Sequence, residues 1–103
     1  MRIVAIDYGK KRIGLALTDV NKKIAYPYKT IKTDATFEKT SSHLLENLKE
    51  YLEEIELFLM GLPLYLDGTE SEMTKTVKEF KKVFESKTNI KVIFVDETLS
   101  SEE

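Results

Sequence analysis

The chain has no cysteine and a single histidine, His43. Disulfides, thiolate zinc sites, iron–sulfur clusters and cysteine nucleophiles are therefore excluded, as is any cluster of imidazole ligands. A metal would have to sit on oxygen, and carboxylate, carbonyl and water ligands suit hard ions, chiefly Mg2+ or Mn2+. No run of about eighteen apolar residues exists, and the N-terminus MRIVAIDYGK turns polar after six residues. Neither a transmembrane helix nor a secretory signal is expected; the protein reads as cytoplasmic, with no membrane partner. Internal repeats, low-complexity segments and Gly/Ser linkers are also missing, which argues against a second domain. What is present, 103 residues at 42% hydrophobic and 10% aromatic, suffices for one compact core.

The net charge of −2 conceals an asymmetry. Residues 1–32 hold eight basic side chains (Arg2, Lys10, Lys11, Arg12, Lys22, Lys23, Lys29, Lys32) against two acids (Asp7, Asp19), and the acidic surplus lies in the remainder. Such a division can mark one face for a polyanion. Lysines on strand edges can also serve only to blunt edge pairing, and charge alone leaves both readings open.

Residues 2–8 (RIVAIDY) and 12–18 (RIGLALT) read as two strands joined by a tight hairpin. Residues 24–31 (IAYPYKTI) form a third, pushed towards a sheet edge by Pro27. After the polar stretch Thr33 to Thr36, Phe37, Leu44, Leu45, Leu48, Tyr51, Leu52 and Ile55 trace the apolar stripe of a helix of four or five turns. Residues 56–62 (ELFLMGL), broken by Pro63, read as a buried central strand. Thr69 and Glu72 suggest a capping box for a second helix, with Met73, Val77, Phe80 and Phe84 on its inner face and an end near Lys87. Residues 90–95 (IKVIFV) give a last strand, followed by a loop and a first helical turn over 96–103. The order βββαβαβ predicts an α/β domain: three antiparallel strands, then parallel strands joined by helical crossovers into one mixed sheet.

Asp7 stands out chemically. The apolar run Ile3 to Ile6 before it suggests a central strand, and the carboxyl ends of central strands are where α/β sheets hold ligands. A carboxylate there, backed by Lys10, Lys11 and Arg12, could hold a divalent ion while the cations hold phosphate; the plainer alternative is a turn former.

The segment Asp7-Tyr8-Gly9-Lys10-Lys11-Arg12-Ile13-Gly14-Leu15-Ala16 resembles the D-x-G-x-x-R-I-G-x-A opening of the YqgF family, also called RuvX, small RNase H-like proteins related to the RuvC resolvases. Gly61-Leu62-Pro63-Leu64 with Asp67-Gly68-Thr69, and Val95-Asp96-Glu97 with Leu99-Ser100-Ser101-Glu102, agree in order and spacing, so the resemblance spans nearly the whole chain. It implies an RNase H-like fold and a metal-dependent nuclease, acting in 5′ end maturation of pre-16S rRNA or, alternatively, as a Holliday-junction resolvase on branched DNA. The nucleic-acid partner is thus a structured RNA or branched DNA. The resemblance makes Asp7 and Glu97 the catalytic and metal-binding carboxylates, with Asp96 the alternative to Glu97. Gly9, Lys10, Lys11, Arg12, Thr98 and Ser100 are the expected substrate contacts, Thr98 standing where members carry arginine. Members continue with a further helix and a third acidic residue. The chain is accordingly expected to be a single domain over 1–103, truncated at its C-terminal side relative to the family. It would expose a sheet face that a partner, such as the second copy in a homodimer, could cover.

Other candidates have plainer readings. Asp67-Gly68 reads first as a turn, and Gly61-Leu62-Pro63 as support for the site. His43 reads as a helix-flank residue without a base-orienting partner nearby in sequence. Tyr8, Tyr26, Tyr28 and Tyr65 could stack on bases, but tyrosines at strand positions more often pack half-buried. Lys75, Lys78, Lys81 and Lys82 read as a solvated helix face, and Ser100 and Ser101 lack the histidine base of a serine hydrolase. Two competing functions remain: nucleic-acid binding without cleavage, and an ATP-binding site like the phosphate loop of actin and Hsp70 type ATPases, whose fold normally needs two such halves.

Overall fold

The computed structural model describes residues 1–19, 21, 24–64 and 67–98, the last three as backbone. The chain runs β1 (Arg2–Asp7), β2 (Arg12–Thr18), β3 (Ala25–Lys32), α1 (Phe37–Asn47), a 3-10 turn (Leu52–Glu54), β4 (Ile55–Leu64), α2 (Glu72–Ser86) and β5 (Lys91–Thr98). The five strands form one sheet in the order β3-β2-β1-β4-β5. The pairs β1–β2 and β2–β3 are antiparallel, and β1–β4 and β4–β5 are parallel. This is the expected βββαβαβ mixed sheet, with β1 at its centre.

Strand alternation divides the sheet into two unlike faces. One row set, Val4 and Ile6 on β1, Ile13, Leu15 and Leu17 on β2, Phe58, Met60 and Leu62 on β4 and Val92 on β5, is buried. It packs against Leu44 of α1, Leu48 just beyond it, and Val77, Phe80 and Phe84 of α2. Aromatic rings tie the layers: Phe58 meets Phe84 edge-on at 5.0 Å, and Phe80 stacks on Phe84 at 5.8 Å. Each such side chain contributes roughly 1.5–3 kcal/mol by leaving water. The opposite face carries Ala5, Ala16, Leu57, Leu59, Ile93 and Val95; among the described residues it stays open, with Ile93 and Val95 37% and 43% exposed. No helix among the described residues is long and apolar enough to cross a membrane.

Five local features depart from the sequence expectations. Helix α1 stops at Asn47 instead of running to residue 55, because Leu48, Tyr51 and Glu54 donate their N–H groups three residues back, to Leu45, Leu48 and Tyr51. Tight turns of this kind keep the three-residue spacing of the apolar stripe, so periodicity could not reveal the break. Strand β4 continues through Pro63 to Leu64. Its pairing with β1 ends at Met60, so Pro63 has a strand on one side only, a setting that tolerates the missing N–H. That extension gives β5 partners as far as Thr98, so Asp96, Glu97 and Thr98 lie in a strand and not in a loop. Finally, β3 is an edge strand as Pro27 suggested, but it pairs with a bulge: Leu15 faces Lys29 and Ala16 faces Pro27, which leaves Tyr28 as the extra residue.

The cap of α2 also moves. Ser71, not Thr69, is the N-cap: its Oγ accepts from the Thr74 N–H at 3.2 Å, and Thr74 Oγ1 accepts from the Ser71 N–H at 2.9 Å. Thr74 Oγ1 also donates to the Pro63 carbonyl, which fastens the helix start to the end of β4. Thr69 instead donates its N–H and hydroxyl to Asp67 Oδ1 in the preceding turn, where Gly68 adopts φ 86°. Ser71→Ala should therefore lower unfolding stability by about 1 kcal/mol in urea titrations, whereas Thr69→Ala should stay within about 0.5 kcal/mol.

Candidate active site

Asp7 ends β1, opposite Gly14 of β2. Strand alternation places it on the open face, and its side chain is exposed. Its neighbours on both sides are glycines. A Cβ at Gly14 would stand 3.8 Å from Asp7 Cβ, so anything longer there would lie along the carboxylate. On the other side Met60 pairs with Ile6, which puts Gly61 level with Asp7 and beside Val95 of β5. A groove of about 660 Å³ follows this row, lined among others by Ala5, Asp7, Gly14, Leu59, Gly61 and Val95. Within it, Asp7 is the one acid among the described lining residues.

Glu97 pairs with Pro63 in the β5 register, and Asp96 pairs with Leu62. Glu97 therefore shares the strand parity of Val95 and of the open-face row, while Asp96 has the register of buried Leu62. The Glu97 backbone lies two strand spacings from that of Asp7, on the order of 10 Å, and one two-residue repeat further along. Among the described residues no group of three or more His, Asp or Glu stands close enough to hold a metal. Asp7 supplies the one carboxylate among the described lining residues of the groove, a hard oxygen donor that fits Mg2+ or Mn2+ better than a softer ion. Thr98 pairs with Leu64, and Ser100 lies outside the described residues, as does Tyr65.

The turn behind Asp7 is tightly built. A Cβ on Gly9 would come within 2.4 Å of the Arg12 carbonyl oxygen, so only glycine fits without moving the backbone. Thr33, just past β3, locks the turn from outside: its hydroxyl donates to the Gly9 carbonyl at 2.8 Å and its N–H to the Lys11 carbonyl at 3.0 Å. Lys10, Lys11 and Arg12 are exposed on this frame. Lys32, which no motif singled out, faces Arg12 directly across the β2–β3 ladder. Only the antiparallel register reveals that pairing.

Most of the remaining candidates resolve towards packing or surface pairing, although Tyr26, 39% exposed, and Tyr28 line the groove at Asp7. Tyr8 lies against Phe80 at 4.7 Å and Phe37 at 6.3 Å, and burial pushes its phenol above the ordinary value. Tyr28 donates to the Asn47 carbonyl, and Tyr26 lies by Arg2, itself paired with Glu54 at 2.7 Å. Lys78 pairs with Glu70, and Lys81 pairs with Glu85 at 2.9 Å while covering the Phe94 ring. Hydrogen bonds from Thr69 hold the Asp67 carboxyl below its usual range, as a turn residue's would be. His43 is exposed on α1, but it does have a carboxylate partner: Asp34 Oδ2 lies 3.3 Å from its Nδ1. The contact joins the middle of α1 to the loop before it, which residue spacing alone does not show.

The family described as "RuvX: Holliday junction resolvase" matches residues 1–103. A relative from Endomicrobium trichonymphae, named as a pre-16S rRNA nuclease, is 38% identical over 97% of this chain and 69% of its own length. One of the same name from Maridesulfovibrio salexigens is 37% identical over 98% of this chain and 73% of its own. Among solved structures, T. thermophilus RuvC in complex with a Holliday junction substrate superposes with a TM-score of 0.60 at 15% identity, covering 93% of this chain and 64% of that one. That likeness shows the RNase H-like fold.

The Gly9 geometry yields a direct test. Gly9→Ala should cost roughly 1–3 kcal/mol of stability, read by urea unfolding, and should shift the amide resonances of Lys10 to Gly14 more than those of α2.

Proposed function

Because the chain belongs to the RuvX family of Holliday junction resolvases, we propose that it is a metal-dependent nuclease that hydrolyses phosphodiester bonds in a structured RNA, pre-16S rRNA. The observation that carries this reading is Asp7: an exposed carboxylate at the carboxyl end of the central strand, on the open face, between two glycines and in front of a cationic turn. The RNA substrate follows from the name its relatives bear. A ribosomal RNA precursor as substrate also favours the cytoplasm as the site of action.

Phosphodiester hydrolysis needs an activated water and a stabilised leaving oxygen. Mg2+ or Mn2+ held by Asp7 and Glu97 would supply both. In this reading Asp7 fixes where on the sheet the ion would be held, and Glu97, sharing the parity of the open-face row, is the second carboxylate in preference to Asp96. Gly14 and Gly61 keep the groove floor low, so a sugar–phosphate strand can approach the carboxylate closely. Lys10, Lys11 and Arg12, presented by the turn that Gly9 permits, neutralise neighbouring phosphates. Thr98 and Ser100 follow Glu97 in the same motif and complete the proposed substrate contacts.

Two further readings have an observation each. Branched DNA as substrate draws on the family's description and on the fold shared with RuvC. Binding without cleavage draws on Asp7 being the one acid among the groove's described lining residues. Incubation of the chain with Mg2+ or Mn2+ and either a 16S precursor fragment or a four-way DNA junction separates the three. The proposal expects RNA cleavage that Asp7→Asn lowers by roughly 100-fold or more, with RNA binding retained. Cutting of the junction alone, binding without cutting, or an Asp7→Asn variant as active as the parent would each overturn it.

A further inference from the structure

We infer that the RNA strand leaves Asp7 across the ends of β2 and β3, held by a phosphate-binding groove whose cations are Lys10, Lys11, Arg12 and Lys32. This rests on the nucleic-acid reading above and gives it a direction and an additional residue.

The first support is an electrostatic cost. Arg12 and Lys32 stand opposite each other in the antiparallel ladder, and like charges in that relation destabilise a sheet. Lys10 and Lys11, in the adjoining turn, add to the repulsion. None of the four forms an ion pair among the described residues, whereas Arg2, Lys78 and Lys81 each have a glutamate. The chain has 18 acidic residues for 16 basic ones, so a shortage of carboxylates does not account for the unpaired cluster.

The second support is shape. The four cations line one depression of about 500 Å³ together with Thr30, Ile31 and Thr33, and no acid among the described residues lines it. Its walls are a strand ladder and a turn that Thr33 clamps through both its hydroxyl and its N–H, so the charges sit on a prepared frame. The third support is position. Arg12 is two residues from Gly14, the partner of Asp7, which places the cluster beside the carboxylate on the β2–β3 side. Towards β5 the described residues of the same face nearest Asp7 are the exposed Val95 and Ile93, and the cation Lys91 stands at the far end of that strand. Edge protection alone does not explain Lys32: Pro27 and the bulge at Tyr28 already blunt β3, and a guard needs no second cation opposite it.

The test measures binding of a fluorescent 16S precursor fragment across a salt series, in the absence of divalent metal, with thermal unfolding of the same samples. Lys32→Gln should weaken binding several-fold, uniformly across RNA sequences, and reduce the slope of log affinity against log salt by about one. Lys32→Glu should raise the melting temperature, since repulsion from Arg12 becomes attraction, while weakening RNA binding further. Lys82→Gln, on the outer side of α2, should leave the slope unchanged. An unaltered slope in Lys32→Gln beside a reduced one in Arg12→Gln would overturn the β3 assignment. Loss confined to a four-way DNA junction, with RNA binding intact, would overturn the RNA assignment. Neither result depends on cleavage, so a failure of the nuclease reading shows separately, through Asp7→Asn.

Discussion

Strand β1 has a partner on each side, and its alternation sends Val4 and Ile6 into the core while placing Asp7 on the other face. That single parity governs the rest. Because both helices pack on the Val4 and Ile6 side, the carboxylate is kept out of the low-dielectric core, where an unpaired charge would be costly. A shift of one residue in β1 would bury Asp7 and expose the apolar row, so the hydrophobic pattern that folds the sheet also aims the candidate site. The neighbouring strands agree with it: glycine stands level with Asp7 on both β2 and β4, so neither flanking position sets a side chain beside the carboxylate.

The cationic turn shows the same economy of position together with a cost to stability. Gly9 is required because a Cβ would strike the Arg12 carbonyl, and Thr33 ties the turn to the end of β3. The result holds four positive charges close together without an acidic partner among the described residues. A fold selected for stability alone would distribute them or oppose them with acids, as α2 does with Lys78–Glu70 and Lys81–Glu85. Concentrating them beside a carboxylate is understandable if a polyanion supplies the missing negative charge.

Much of this was legible in the residues. Apolar alternation and the Gly9 turn gave the hairpin, the i, i+3, i+4 stripe gave α2, and the order of elements gave the sheet topology. Asp7, Lys10, Lys11 and Arg12 could be named because they cluster in sequence. The misses have physical reasons. Leu48, Tyr51 and Leu52 keep a helical spacing through turns that are not α-helical, so α1 read too long. Pro63 read as a strand end because a residue string does not say that β1 has already stopped beside it. Thr69 and Ser71 both suit a cap, and the choice falls on the one whose partner Thr74 can also reach the Pro63 carbonyl. Lys32 and the Asp34–His43 pair depend on register and tertiary approach, which periodicity does not encode.

The central claim is that Asp7 anchors a hard cation on the open face of the sheet. It is tested most directly by titrating the chain with Mn2+ and following free Mn2+ by electron paramagnetic resonance, for the parent and for Asp7→Asn. Saturable uptake by the parent is expected, with an affinity about tenfold or more weaker in the variant. Equal uptake by both proteins would contradict it.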